Sequence, residues 1–217
     1  MANALTKKFG IKEVADVAFY VVGDVKVDSA TGEVTFVGTD STRKGPVLTF
    51  DTLKVSNLEF TGETTEARGG KGNTVLMSWD HSREATLNLE DALLSVDSLN
   101  AMLSNGSVVS DTNSDVITIT ANGFPGTYTV VGKTYARDED GTDHILTFVI
   151  WKAKVSAETT FTMEADGDPS TLSMSLKVLR ADKNDAIGSA AGDMVKLIID
   201  KQATGTVSPS IVFPKGQ

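Results

Sequence analysis

The chain has 217 residues, 40% of them hydrophobic, which suits one domain with a sizeable buried core and is too apolar for a disordered segment. Against 20 Lys and Arg stand 29 Asp and Glu, a formal net charge of −9. That balance excludes a protein that grips nucleic acid through its phosphates but leaves room for one that must repel them. Cysteine is absent, so neither disulfides nor thiolate metal sites contribute.

The opening MANALTKKFGIKEVADVAFYVVG has no unbroken apolar run of signal-peptide length, because Lys12, Glu13 and Asp16 interrupt it. No stretch approaches the roughly 20 apolar residues of a membrane span. The expectation is a soluble protein made in the cytoplasm. Val17 to Val22 is a compact apolar strand, and DSATG (28–32) is a turn between two alternating pieces, Asp24 to Val27 and Glu33 to Val37. Val47 to Phe60 reads as one strand or two, with Asp51 and Thr52 as a bend. Thr61 to Asn73 contains three glycines, and its second half is expected to be a mobile loop.

From Thr74 to Glu90 the alternation is regular. Thr74, Leu76, Ser78, Asp80, Ser82, Glu84, Thr86, Asn88 and Glu90 form one set; Val75, Met77, Trp79, His81, Arg83, Ala85, Leu87 and Leu89 form the other. Side chains of a strand alternate between faces, so this predicts a half-buried strand with a polar, net acidic face free of Lys and Arg. Ser95 or Asp97 can cap a short helix through Leu99, Met102 and Leu103, closed by Asn105 and Gly106, whose apolar side should lie on a sheet. Strands are predicted at Asp115 to Thr120, Thr127 to Arg137 and Asp143 to Val155. Glu158 to Ala165 and Ser170 to Leu179 read as a hairpin turning at DGDP. A last strand runs from Met194 to Lys201, and the proline-bearing tail ATGTVSPSIVFPKGQ is expected to be an extended arm. The chain is therefore mainly β, with no repeat at a fixed period.

The late hairpin repeats the one-sided pattern: Glu158, Thr160, Thr162 and Glu164 on one limb, and Ser173 and Ser175 on the other, alternate with apolar residues. If both segments lie in one sheet, its outer face is a smooth acidic wall. The solvated face of an ordinary sheet gives the same pattern.

Signatures of catalysis are poor. His81 and His144 have no second histidine at ligand spacing and read as cross-strand or surface residues. GGKGNT lacks the spacing of a phosphate cradle and precedes a strand, so it reads as a loop. Asp138, Asp140 and Asp143 around Gly141 lack the spacing of a calcium loop and read as an acidic turn. Trp79 and Trp151 are expected to anchor the core. No carboxylate pair stands in an apolar setting that would raise a pKa. No catalytic residue, metal or cofactor is expected.

Three stretches carry a wider likeness: the opening MANALTKKFGIKEVADVAFY, the segment PVLTFDTLKVSNLEFTGETTEARGGKGNTVLMSWDHSREATLNLEDALLS, and ILTFVIWKAKVSAETTFTMEADGDPSTLSMSLKVL. Over about two thirds of its length the chain resembles tail tube proteins of tailed bacteriophages. The resemblance implies a single domain over 1–217, an antiparallel β-sandwich with one short flanking helix. Six copies would close into a ring whose strands join a β-barrel, and rings would stack into a hollow tube conducting DNA to the host. It further implies an inter-ring loop at about 61–73 (Arg68, Gly69, Gly70, Lys71, Gly72) and terminal arms at about 1–14 and 202–217. Channel-lining residues would be Asp80, Glu84, Glu90, Glu158, Thr160, Thr162, Glu164, Ser173 and Ser175. The implied partners are further copies and other tail proteins (tape measure, baseplate or tip initiator, sheath), in a virion tail assembled in the host cytoplasm. No membrane is involved, and DNA passes without specific binding. The rival reading is a β-sandwich binding module of the carbohydrate-binding or adhesin kind, with a split-carboxylate hydrolase behind it.

Overall fold

The structure is a computed structural model, and it describes residues 8–28, 32–38, 44–103, 108–156, 171–182, 192–200 and 213–215. Among these residues thirteen strands and one helix follow one another: β1 (Phe9–Ile11), β2 (Asp16–Val21), β3 (Val25–Val27), β4 (Val34–Phe36), β5 (Leu48–Phe50), β6 (Leu53–Gly69), β7 (Thr74–Asp91), α1 (Val96–Leu103), β8 (Val109–Ser110), β9 (Asp115–Val116), β10 (Thr127–Asp138), β11 (Asp143–Val155), β12 (Leu172–Leu179) and β13 (Val195–Ile199). The main sheet runs β5-β2-β10-β11-β12-β7-β6, with β1 added to β10 and β13 to β11. Every pairing is antiparallel.

The predicted elements from Val17 to Phe60 are present, including the break at Asp51 and Thr52. Phe9–Ile11 is a strand that the sequence pattern did not suggest. The strand expected at Asp115–Thr120 shrinks to two residues paired with β8. The first limb of the late hairpin, with Glu158, Thr160, Thr162 and Glu164, lies outside the described residues, as does most of the C-terminal arm.

Two cores lie on opposite faces of the central strands. The first gathers Val17 and Phe19, Tyr128 and Val130, Phe148 and Ile150, Leu172, Met174 and Leu176, and Leu87 and Leu89. Strands from both ends of the sheet meet in it, so the sheet bends over itself in a sandwich-like way. Among the described residues a single chain does not close a barrel, and β5 and β6 are the ends of the sheet. Each such side chain contributes about 1.5–3 kcal/mol on burial. The second core packs Ala18, Tyr20, Val131, Val149 and Trp151 beneath the β3–β4 hairpin. Phe213 joins it, and the Tyr20 hydroxyl donates to the Pro214 carbonyl at 3.1 Å, so this part of the tail folds back on its own chain.

Helix α1 begins where hydroxyls can cap it. Ser95 Oγ accepts from Ser98 N–H, and Ser98 Oγ accepts from Ser95 N–H, both at 3.0 Å, which selects Ser95 over Asp97 as the cap. Met102 is buried in the first core, with Leu99 and Leu103 packed at its margin.

Candidate functional site

The alternation singled out in the sequence falls, among the described residues, on β7 and β12, and β6 pairs along the other side of β7. Register pairs Ser173 with Glu90, Ser175 with Asn88 and Lys177 with Thr86. On the other side of β7, Asn88 faces Asn57, Thr86 faces Glu59, and Glu84 faces Thr61. Residues paired directly across strands share a face, so Glu84, Glu90, Ser173 and Ser175 form one surface. The intervening Ala85, Leu87, Leu89, Leu172, Met174 and Leu176 are buried in the first core. The polar surface is thus held in place by burial of its reverse side.

Asn57, Glu59 and Thr61 extend this wall onto β6. Their period-two spacing against Leu58 and Phe60 was visible in the sequence, but nothing there said which strand β6 would join. Within the wall, Ser175 Oγ donates to Asn88 Oδ1 at 2.9 Å, and Lys177 Nζ pairs with Glu84 Oε1 at 3.0 Å. Lys177 is the one cation at these paired positions, and Glu84 offsets it. The wall presents negative charge and small hydrogen-bonding groups.

Asp80 does not belong to this face. Between the pairs Thr61–Glu84 and Glu63–His81, β7 has one residue more than β6, at Ser82, whose φ of 53° lies in the left-handed region. Such a bulge turns the strand over. Beyond it Asp80 pairs with Thr64, which donates to it at 2.8 Å, on the side continuous with the core. Met77, Trp79 and His81 come instead to the side of the wall, where His81 Nε2 lies 3.4 Å from Glu63 Oε2. The expectation of one polar face from Thr74 to Glu90 is therefore corrected: strict alternation fails where a residue is inserted.

The buried character of the strand is corrected too. From Thr74 to Glu84 every residue of β7 is exposed, and the burial alternation starts only at Ala85. Trp79 is 49% exposed, against its expected role as a core anchor, whereas Trp151 is fully buried. The expected loop shortens: β6 runs to Gly69, through Arg68, and only Gly70–Asn73 turn, including Lys71 and Gly72. Gly70, Gly72 and Asn73 adopt positive φ there, which glycine and asparagine tolerate best.

Between β10 and β11 the acidic turn is built as a turn. Asp138 Oδ1 accepts from the amides of Asp140 and Thr142, and Asp143 is gripped by Arg137 at 2.7 and 2.8 Å. The hydrogen bond from Arg137 holds the Asp143 carboxyl below its usual range. His144 bonds Asp138 and lies 3.1 Å from the Asp200 carbonyl, which ties the end of β13 to this hairpin. Among the described residues, no group of three His, Asp or Glu is placed to hold a metal ion.

The model of the YomU/Tube protein family matches residues 29–114 and 107–192, which together take in the β6–β7 hairpin, the helix, and β10 to β12. The chain belongs to the YomU/Tube protein family. The tube family membership agrees with the likeness to phage tail tube proteins carried by the sequence, and makes the chain a structural tail component. No curated protein matches the chain.

Proposed function

We propose that this chain forms hexameric rings that stack into the hollow tube of a phage tail, with the β6–β7–β12 face lining the channel through which DNA passes. The observation that carries this reading is the wall of Glu59, Glu84, Glu90, Thr61, Thr86, Ser173 and Ser175, backed by an apolar core and followed by a hairpin that leaves the body. A duplex presents a phosphate charge about every 1.7 Å along its axis. An acidic, hydroxylated wall lets such a polyanion slide, where a cationic one would bind it by counterion release.

The edge of the 17-residue β6, unpaired among the described residues, supports the same assembly. A long free edge is a template for pairing, and closing strands from several copies into a barrel removes it. On this reading the protein is a non-enzymatic virion component. Its partners are further copies of itself and the tail proteins that set tube length, nucleate assembly and, in contractile tails, ensheath it. Electron microscopy of the purified chain at high concentration tests this: hollow rods or stacked rings are expected, and monodisperse monomers bound to a glycan would instead favour a carbohydrate-binding module.

A further inference from the structure

We infer that His144 is a proton-operated clasp that fastens the end of β13, and with it the start of the C-terminal segment, to the β10–β11 hairpin of the same chain, independently of tube assembly.

The His144 ring has an acceptor at each nitrogen. Nε2 lies 3.2 Å from Asp138 Oδ2, and Nδ1 lies 3.1 Å from the Asp200 carbonyl oxygen. A neutral imidazole carries one N–H, and only the doubly protonated ring donates from both nitrogens. Neither neutral tautomer therefore satisfies both contacts, because one of them always sets a nitrogen lone pair against an oxygen lone pair.

Both acceptors are fixed by other bonds. Asp138 Oδ1 accepts from the amides of Asp140 and Thr142, and the Asp138 amide donates to the Thr142 carbonyl, so the turn holds the carboxylate in place. The Asp200 amide donates to the Ile145 carbonyl at 2.9 Å, one step past the last β13 pair, Ile199 with Leu146, which fixes the backbone there. The His144 and Asp138 side chains are 16% and 10% exposed, so little water can take over a lost contact. What is left to change is the proton count of the ring.

Charge decides which contact is released. Asp138 is a carboxylate and the stronger acceptor, so a neutral ring keeps its N–H on Asp138 and gives up Asp200. The other ionisable groups around the ring are Arg137 on β10, Glu139 and Asp140 in the turn, Asp143 on β11 and Lys12 beyond β1. Arg137 and Lys12 both close on Asp143, at 2.7 and 3.6 Å. Carboxylates, lysine and arginine ordinarily hold their charge between about pH 5.5 and about pH 8, the interval in which imidazole changes its own. The clasp is closed at the lower end of that interval and open on its Asp200 side at the upper end. β13 pairs with β11 alone among the described residues, so no second strand holds its end. The next described tie of the chain to its own body is at Phe213 and Pro214. His144 thus controls the nearer of two anchors of the C-terminal segment.

Amide hydrogen exchange on the purified chain, corrected for the intrinsic pH dependence of exchange, reads the clasp at the Asp200 amide, with the amides of central β10 as the reference for folding. Protection at Asp200 should fall about three- to tenfold between about pH 5.5 and about pH 8, the weight of one hydrogen bond. His81→Gln, which removes the other histidine, should show the same fall. His144→Gln, whose single amide nitrogen cannot serve both acceptors, should show the lower protection at both ends of the interval while the β10 reference is unchanged. Equal protection across the interval in the unmodified chain overturns the clasp. So does an undiminished fall in His144→Gln, which would assign the pH dependence to another group.

Discussion

Gly132 on β10 stands directly opposite Phe148 on β11, and the phenyl ring occupies the space in which a Cβ on Gly132 would lie. The ring needs that space to reach the first core, where it packs with Ile150 and Val130. Gly132→Ala should therefore act as overpacking and cost about 1–3 kcal/mol. Chemical unfolding measures this, and adding Phe148→Leu should recover part of the loss, because the smaller side chain clears the new methyl. An unchanged midpoint for Gly132→Ala would mean that the ring moves aside freely.

Ser82 holds a left-handed backbone that disfavours side chains branched at Cβ. Ser82→Gly should leave the protection of the outer hairpin amides unchanged or raise it by up to about 1 kcal/mol, and Ser82→Val should lower it by about 1–2 kcal/mol. Hydrogen exchange is the right readout, since the outer hairpin lies beyond the core and can open locally. Equal protection in both variants would argue against the bulge.

The wall makes a prediction through charge alone. Glu84→Gln and Glu90→Gln remove charge at exposed or half-buried positions and should change stability by no more than about 0.5 kcal/mol. Loss of the Glu84–Lys177 pair adds little, because exposed pairs contribute about 0–1 kcal/mol. Glu84→Lys with Glu90→Lys should still assemble but retain duplex DNA, with retention falling steeply as salt rises. Passage of DNA through Lys-substituted tubes at the normal rate would place these residues away from the channel.

Asp16 gives a pH dependence with a definite sign. Desolvation first, then the nearby charges of Asp51 and Glu13, raise its pKa above the usual carboxylate range. Its contribution to stability is therefore fully present below the unfolded-state value of about 3.9 and is lost as pH rises through the raised folded value. Asp16→Asn should raise the Tm at pH 7 and leave it almost unchanged below pH 4, as thermal melts across that interval would show. A lower Tm for the variant at pH 7 would mean that the ionised carboxylate is stabilising.

The mainly-β class, the break at Asp51–Thr52, the separation of β3 from β4, and the helix carrying Met102 were legible in the sequence, because period-two and helical spacing record which side chains meet a core. Glu84, Glu90, Ser173 and Ser175 were legible for the same reason, since Leu87, Leu89, Met174 and Leu176 alternate with them. Asp80, Met77 and Trp79 were not. Their faces depend on the extra residue at Ser82, and a bulge changes which side a residue takes without leaving a mark on the alternation of the strand that carries it. Nor did the pattern reveal that Trp79 is exposed while Trp151 is buried. Both sit in similar alternating runs, but β11 lies in the middle of the sheet, covered on both faces, and among the described residues the outer half of β7 pairs only with an edge strand beyond the body. Local spacing decides which residues can share a face; the neighbours on that face are decided only when strands distant in sequence pair.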